Sequence, residues 1–147
     1  MSIKAIMTSH LIHKKLDANL PATLSSRVLK DLLRSKMGFN GVIISDDPSM
    51  GAISKYYSLK ETLLLMINAE VDMFCFGNNL HYDENLLKKV FKILVNLYEE
   101  EKITENQIHA SYERIMALKK SIGIISVSYT HLRAHETRGN LVCRLLL

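Results

Sequence analysis

Three short apolar runs in the chain have the length and composition of buried strands. They are Lys4 to Thr8, Gly41 to Ser45 and Val71 to Gly77. The second run is apolar throughout its middle, which is typical of a parallel strand covered by helices on both faces. It leads directly into Asp46 and Asp47, so two acidic residues follow a buried strand.

The segments between and after these strands carry apolar residues at helical spacing and begin with helix-start signals. The starting residues are Ser25 or Ser26, then Ser58, Asp83 and Thr104. Ser58 and Thr104 each open a capping box, with Glu61 and Gln107 three residues later. The first helix places its apolar face on Val28, Leu29, Leu32, Leu33 and Met37. It ends at Gly38, which suits a C-terminal glycine cap.

The predicted order of elements is β-α-β-α-β-α-α, and it indicates an α/β fold. Strands that alternate with helices form a parallel sheet through right-handed crossovers. Three strands are too few to close a barrel, and they leave the edges of the sheet bare. Either further strands precede this segment in the native protein, or the segment pairs with another chain. The periodicity leaves both alternatives open.

Composition and charge exclude several classes of protein. The 147 residues have the length of one domain, 48% of them are hydrophobic, and no apolar run approaches the ~20 residues that span a bilayer. The segment from Met1 to His10 lacks the parts of a signal peptide, so we expect a cytoplasmic protein. The lysines are scattered over helices without interleaved aromatic residues, so we expect no nucleic-acid partner. Cys75 and Cys143 form no metal or disulfide pattern, and we expect Cys75 to be a buried thiol.

The end of the chain loses the helical periodicity of the preceding segment. From Val127 it reads VSYTHLRAHET, then RGN, then LVCRLLL. This string resembles a translated adapter from transposase-based sequencing libraries, since GTC TCT TAT ACA CAT CTC CGA GCC CAC GAG encodes VSYTHLRAHE. We therefore expect residues 1–125 to be the native domain and residues 126–147 to be a non-native, disordered tail. Three residues that suggest a metal site are thereby excluded: His131, His135 and Cys143.

Polar side chains follow each predicted strand and are the candidates for chemistry. They are His10, then Asp46 and Asp47, then Asn78, Asn79 and His81. Functional groups of parallel α/β folds cluster beyond the carboxyl ends of the strands, where a carboxylate can act as nucleophile, base or metal ligand. Other roles remain open: a cap or turn for either aspartate, a backbone-bonded loop histidine for His10, and turn chemistry for the last group.

The segment from Met7 to Ile53 resembles the catalytic domain of family-three glycoside hydrolases, in the bacterial β-N-acetylhexosaminidase branch. It reads MTSHLIHKKLDANLPATLSSRVLKDLLRSKMGFNGVIISDDPSMGAI. The branch has a strand ending in MxAH, a loop with LD and PATLS, a helix, and GFxGVVISDDLxMxAI. The later AEVDMFCFG resembles the AGxDxxL strand of the same domain. The resemblance covers nearly all of Lys4 to Lys119.

This resemblance implies a fold, an activity and two site residues. The fold is the C-terminal portion of a TIM-type barrel, incomplete in this chain. The activity is retaining hydrolysis of terminal β-linked N-acetylglucosamine, in carbohydrate metabolism such as peptidoglycan recycling, without cofactor or metal. Asp46 is the expected nucleophile because it directly follows the serine of SDD, and His10 is expected to bind substrate as a pocket-lining residue. Asp47 is expected to support the site from behind the nucleophile or to cap a helix, and not to take part in the reaction.

The sequence also departs from the branch. The branch's proton donor is a histidine, paired with an aspartate, in a KHFPGHG-like loop, and no such motif occurs here. We therefore expect the chain alone to be inactive and the activity to belong to a longer parent. Pro48 replaces a leucine and Glu70 replaces a glycine, which leaves a non-catalytic relative possible. Asp47 stands where related β-glucosidases have tryptophan, which favours the hexosaminidase branch.

One alternative belongs to a different class of protein. A small α/β module could hold Mg²⁺ between Asp46 and Asp47 for phosphoryl transfer or binding. Magnesium-dependent binding of a phosphate mimic would distinguish it from a glycosidase.

Overall fold

Strands and helices alternate along the chain, as the apolar pattern predicts. The structure, a computed structural model, describes residues 3–78 and 82–125. Its elements are β1 (Ala5–Met7), a 3₁₀ turn (Ala22–Leu24), a π-helix (Arg27–Lys36), β2 (Val42–Ile44), α1 (Gly51–Ser54), α2 (Leu59–Asn68), α3 (Leu86–Glu99) and α4 (Glu105–Ser121). Asn79, His81 and the segment 126–147 with its adapter-like sequence lie outside the described residues.

β1 and β2 pair in parallel, with Ile6 opposite Ile43. The third predicted strand, Val71–Gly77, lies on the other side of β2 but forms only one parallel bridge, between Ile44 and Met73. The prediction of a full strand is therefore wrong. Its cause is a side chain: the Ser45 hydroxyl accepts the backbone N–H of Cys75 at 3.0 Å, where a continued ladder would supply a carbonyl.

The first predicted helix is present, and its backbone bonds are of the wider π type. Ser25 rather than Ser26 caps it, because the Ser25 hydroxyl accepts the N–H of Val28 at 3.2 Å. Gly38 has φ +70°, the left-handed conformation of a helix-ending glycine. Met37, predicted on the apolar face, is 67% exposed because it lies past the last helical residue.

Both predicted capping boxes are present. The Ser58 hydroxyl accepts the N–H of Glu61 at 3.2 Å, and the Glu61 carboxylate accepts the N–H of Ser58 at 2.9 Å. Thr104 and Gln107 make the equivalent pair of bonds at the start of α4.

Asp83 is not the cap of α3, contrary to the prediction, because the helix begins later, after Asn85. Its carboxylate instead accepts the N–H of Asn85 at 2.9 Å and binds Lys89 Nζ at 2.6 Å. These two bonds, that from Lys89 foremost, lower the pKa of Asp83 below its ordinary value.

The hydrophobic core lies where β2, α2 and α3 meet, and α4 also contacts β2. Its fully buried side chains include Ile43, Ile53, Leu63, Met66, Leu94 and Leu97. Burial of each such side chain stabilises the fold by about 1.5–3 kcal/mol relative to exposure. The core thus packs against Ile43 of β2, and α4 contacts the same strand. Among the described helices, none has the length and apolar character to cross a membrane.

Candidate active site

Asp17 organises the loop that follows β1. Its Oδ1 accepts the N–H groups of Asn19 and Leu20 at 2.9 and 3.2 Å, and its Oδ2 accepts the Ser25 hydroxyl at 2.6 Å. These bonds, that of Ser25 foremost, lower the pKa of Asp17 below its ordinary value. Ser25 also caps the π-helix through Val28. The LD and PATLS motifs are therefore two sides of one hydrogen-bonded loop.

A buried chain of side-chain hydrogen bonds leads from β1 to His10. The hydroxyl oxygens of Thr8 and Thr23 lie 2.9 Å apart, and the Thr23 hydroxyl lies 3.1 Å from His10 Nδ1. The other ring nitrogen, Nε2, lies 2.8 Å from the backbone oxygen of Asp47. His10 is thus a loop histidine bonded to backbone, one of the roles that the sequence leaves open. Its role in binding substrate stays a prediction.

Asp47 joins the segments that follow all three strand positions. Its Oδ1 accepts the N–H of Ser49 at 2.8 Å, and its Oδ2 accepts the N–H of Gly77 at 3.0 Å. Its backbone oxygen accepts the N–H of Met50 at 3.1 Å as well as the bond from His10. The bond to Met50 closes a turn in which Pro48 follows Asp47, a position that suits proline. Asp47 is therefore a turn residue, as one interpretation of the sequence allows.

Asp46 lies between two tethered residues at the carboxyl end of β2. Ser45 is fully buried and donates its N–H to the Met73 carbonyl at 2.9 Å. On the other side, the N–H of Asp47 donates to Asp46 Oδ1 at 2.8 Å. Asp46 itself is partly exposed. β2 has a neighbour on each side, so this carboxylate follows the central strand with a fixed backbone and access to solvent.

A buried cluster of charged side chains around Asp72 binds the backbone of β2 before it reaches the site. The carboxylate of Asp72, 0% exposed, binds Arg34 Nη2 at 2.7 Å and Arg114 Nε at 2.8 Å, and it accepts the N–H of Ile43 at 2.8 Å. Burial lowers the pKa of Arg34, and the neighbouring charge of Asp72 opposes that shift. The sequence analysis missed this cluster. The signal was a charged residue within the apolar run VDMF.

The other candidates fall into three groups. Asn78 makes a turn, with its side chain accepting from and donating to the backbone of Asp83 at 2.9 and 3.0 Å. Asn79 and His81 lie outside the described residues. Cys75, expected to be buried, is exposed because the chain leaves the ladder after Met73.

Two other kinds of site are candidates: a metal cluster, and a cavity at the amino ends of the strands. Within residues 3–78 and 82–125, no three His, Cys, Asp or Glu side chains are grouped as a metal site. A cavity of about 720 Å³ is lined by Ile3, Lys4, Asn40 and Gly41 among others. These residues lie at the amino ends of the strands, away from Asp46. The candidate active site is therefore at the carboxyl ends.

The chain belongs to glycosyl hydrolase family 3, whose N-terminal domain matches residues 1–118. A β-N-acetylglucosaminidase/β-glucosidase of Cellulomonas fimi is 31% identical over 105 residues, which are 71% of this chain and 17% of that protein. A β-hexosaminidase of Methylobacillus flagellatus is 41% identical over 85 residues, which are 58% of this chain and 24% of that protein. The chain thus spans a quarter or less of the length of these relatives.

Solved structures show the same fold. The β-N-acetylglucosaminidase of Thermotoga maritima superposes with a TM-score of 0.70 at 33% identity, covering 78% of this chain and 24% of that one. The family 3 β-N-acetylglucosaminidase of Paenibacillus sp. FPU-7 superposes with a TM-score of 0.76 at 29% identity, covering 98% and 28%. The α/β fold is therefore of the TIM-barrel type. Family membership supports the glycoside hydrolase interpretation and not the magnesium-dependent module.

Proposed function

We propose that this chain supplies the nucleophile of a retaining glycoside hydrolase that removes terminal β-linked N-acetylglucosamine, and that the nucleophile is Asp46. The observation that carries the proposal is the position of Asp46 directly after the central strand, between Ser45 and Asp47, which are both tethered. Relatives described as β-hexosaminidases and β-N-acetylglucosaminidases support the substrate class.

The two oxygens of Asp46 suit different tasks. A retaining enzyme needs one carboxylate to attack the anomeric carbon while a second group protonates the leaving oxygen, and water then hydrolyses the glycosyl-enzyme. Oδ1 accepts the N–H of Asp47, which orients the carboxylate. Oδ2 has no hydrogen-bond partner in the part of the chain that the structure describes. Oδ2 is therefore the attacking oxygen, and Oδ1 keeps a donor throughout the reaction.

The proton donor comes from outside this sequence, which contains no KHFPGHG-like loop. We propose that residues 1–125 form the C-terminal part of a TIM-type barrel whose remainder carries the acid, and that the chain alone does not turn over substrate. His10 is retained as a candidate to line the sugar pocket. The enzyme would act in the bacterial cytoplasm on glycans such as those of peptidoglycan recycling.

Covalent trapping tests the nucleophile. Residues 1–118 replace the matching segment of the Thermotoga maritima enzyme, and the chimaera is treated with a ring-fluorinated N-acetylglucosaminide whose glycosyl-enzyme hydrolyses slowly. We expect mass spectrometry to find the label on Asp46. Asp46→Asn should lower turnover by roughly a thousandfold or more and prevent labelling.

Asp31→Asn is the matched control, because Asp31 is exposed on the π-helix. It should label and turn over like the parent chimaera. Label on another residue, or full turnover by Asp46→Asn, would show that Asp46 is not the nucleophile.

A further inference from the structure

We propose that His10 is a positioning residue for Asp46 and that its neutral ring carries the proton on Nε2. It would hold the loop after β2 by donating that proton to the Asp47 carbonyl, while the Thr23 hydroxyl, itself bonded to Thr8, binds the other ring nitrogen. The inference rests on the proposed role of Asp46, but the contacts that carry it are independent of catalysis.

The direction of each hydrogen bond follows from the carbonyl at one end. The backbone oxygen of Asp47 can only accept, so the 2.8 Å contact requires a proton on His10 Nε2. In the neutral ring, Nδ1 is then an acceptor and takes the hydroxyl proton of Thr23 across 3.1 Å. Thr23 in turn accepts from the Thr8 hydroxyl at 2.9 Å. One tautomer satisfies all three contacts.

The hydroxyl groups in this chain of hydrogen bonds are buried, so water does not compete for them. Thr23 is 0% exposed and Thr8 is 8% exposed, so water has little access to replace either hydroxyl. In the other tautomer Nε2 has no proton, so the Asp47 carbonyl would lose this donor, which disfavours that tautomer. The Asp47 carbonyl therefore selects the ring form, and the two threonine hydroxyls can orient to satisfy Nδ1 in that form.

The effect on Asp46 passes through one residue. His10 and Met50 both donate to the Asp47 carbonyl, and the N–H of the same Asp47 donates to Asp46 Oδ1. Fixing the carbonyl limits rotation of the Asp47 backbone, and with it the direction of the N–H that orients the Asp46 carboxylate. His10 lies in the loop after β1, so it also ties this loop to the one after β2. It acts through Asp47 and makes no described contact with Asp46.

Nuclear magnetic resonance on the whole 147-residue chain tests the proposal without any activity. Long-range ¹H–¹⁵N spectra of histidine-labelled protein, taken at a pH where the ring is neutral, report which nitrogen carries the proton. We expect His10 to be protonated on Nε2. Thr23→Val should shift the Nδ1 resonance, because that nitrogen loses its donor, whereas Thr62→Val should not. Thr62 is a matched control, a buried threonine whose hydroxyl donates to the Ser58 carbonyl.

Two variants of His10 test the connection to Asp46. His10→Leu removes the donor, and we expect the Asp47 amide proton and the Asp46 side-chain carboxyl carbon to change their chemical shifts. His10→Gln keeps an N–H donor and should leave both signals nearer their original positions. Protonation on Nδ1, or unchanged signals in a folded His10→Leu variant, would overturn the proposal. Covalent labelling at a residue other than Asp46 would contradict the proposed nucleophile and leave these spectra as expected.

Discussion

Arg34 Nη2 lies 2.7 Å from Asp72 Oδ2, and this oxygen also accepts the backbone N–H of Ile43 at 2.8 Å. The other oxygen of Asp72 binds Arg114. One carboxylate with no exposure to solvent therefore holds the π-helix, α4 and the central strand together. Since Ile43 lies three residues before Asp46, the same contact sets the position of the strand that ends at the candidate nucleophile.

Asp72→Asn is expected to destabilise the chain by about 3–5 kcal/mol, because it removes the fully buried counter-charge of Arg34 and leaves the guanidinium only the partly exposed Glu70 at 3.4 Å. Urea unfolding followed by circular dichroism measures the change in free energy. Glu100→Gln is the comparison, since Lys60 and Glu100 pair at 2.7 Å with side chains about half exposed. That exposed pair should contribute about 0–1 kcal/mol. Equal losses for the two variants would contradict a structural role for the buried cluster.

The stability that Asp17 provides is expected to depend on pH. Its pKa is lowered in the folded chain, first by the Ser25 hydroxyl and then by backbone N–H groups. A lowered carboxyl pKa means that the unfolded chain binds the proton more tightly, so acid favours unfolding. The contribution is fully present above the unfolded pKa of about 4 and is lost as the pH falls through the lower folded value.

Asp17→Asn tests this dependence. At neutral pH the variant should be less stable by about 1.5–3 kcal/mol, the usual contribution of a hydrogen bond to a charged group. The difference from the parent chain should shrink as the pH falls below about 4. A difference that stays constant from neutral to acidic pH would show that the charge of Asp17 contributes nothing.

Gly41 is expected to resist substitution even by alanine. A Cβ at this position would lie 2.5 Å from the backbone oxygen of Lys4 and 2.6 Å from the Phe39 ring. Gly41→Ala should therefore destabilise the chain by about 1–3 kcal/mol through overpacking. Gly51 is the control, since its Cβ would meet only the flexible side chain of Lys55, at 3.2 Å. Gly51→Ala should be neutral or stabilising in thermal unfolding, and a similar loss at both glycines would argue against the clash.

Glu70, which stands where the resemblance implies a glycine, has φ +63°. This left-handed conformation is strained for residues with a Cβ. Glu70→Gly should therefore be more stable than Glu70→Ala by roughly 0.5–1 kcal/mol, and comparing the two variants cancels the lost contacts to Lys30 and Arg34. At Glu113, inside α4, the order should reverse by a similar amount. The same order at both positions would exclude backbone strain as the cause.

The parts of the fold that local sequence dictates were predictable. The capping boxes at Ser58 and Thr104 depend on residues three positions apart, and both are formed. The glycine end of the first helix depends on Gly38 alone, and it has the expected φ. The position of Asp46 after a buried strand also followed from the pattern, because the apolar run before it is continuous.

The contacts that surround the candidate site were not predictable from spacing. His10 and Asp47 are 37 positions apart, and Asp72 and Arg34 are 38 apart, so no periodicity connects them. The shortening of the third strand also results from a contact between residues far apart in the sequence. Its apolar residues predicted a full ladder, but the hydroxyl of Ser45, 30 positions away, takes the bond of Cys75. Only the packed structure shows which polar atom reaches a distant backbone group first.

The two adjacent aspartates of the SDD motif, Asp46 and Asp47, are not interchangeable. Both carboxylate oxygens of Asp47 are occupied by N–H groups of Ser49 and Gly77, and its carbonyl carries two more bonds. Releasing this carboxylate for chemistry would dismantle the loop that aims its neighbour. Asp47 could therefore not take over the role proposed for Asp46 without giving up the contacts that hold the loops together.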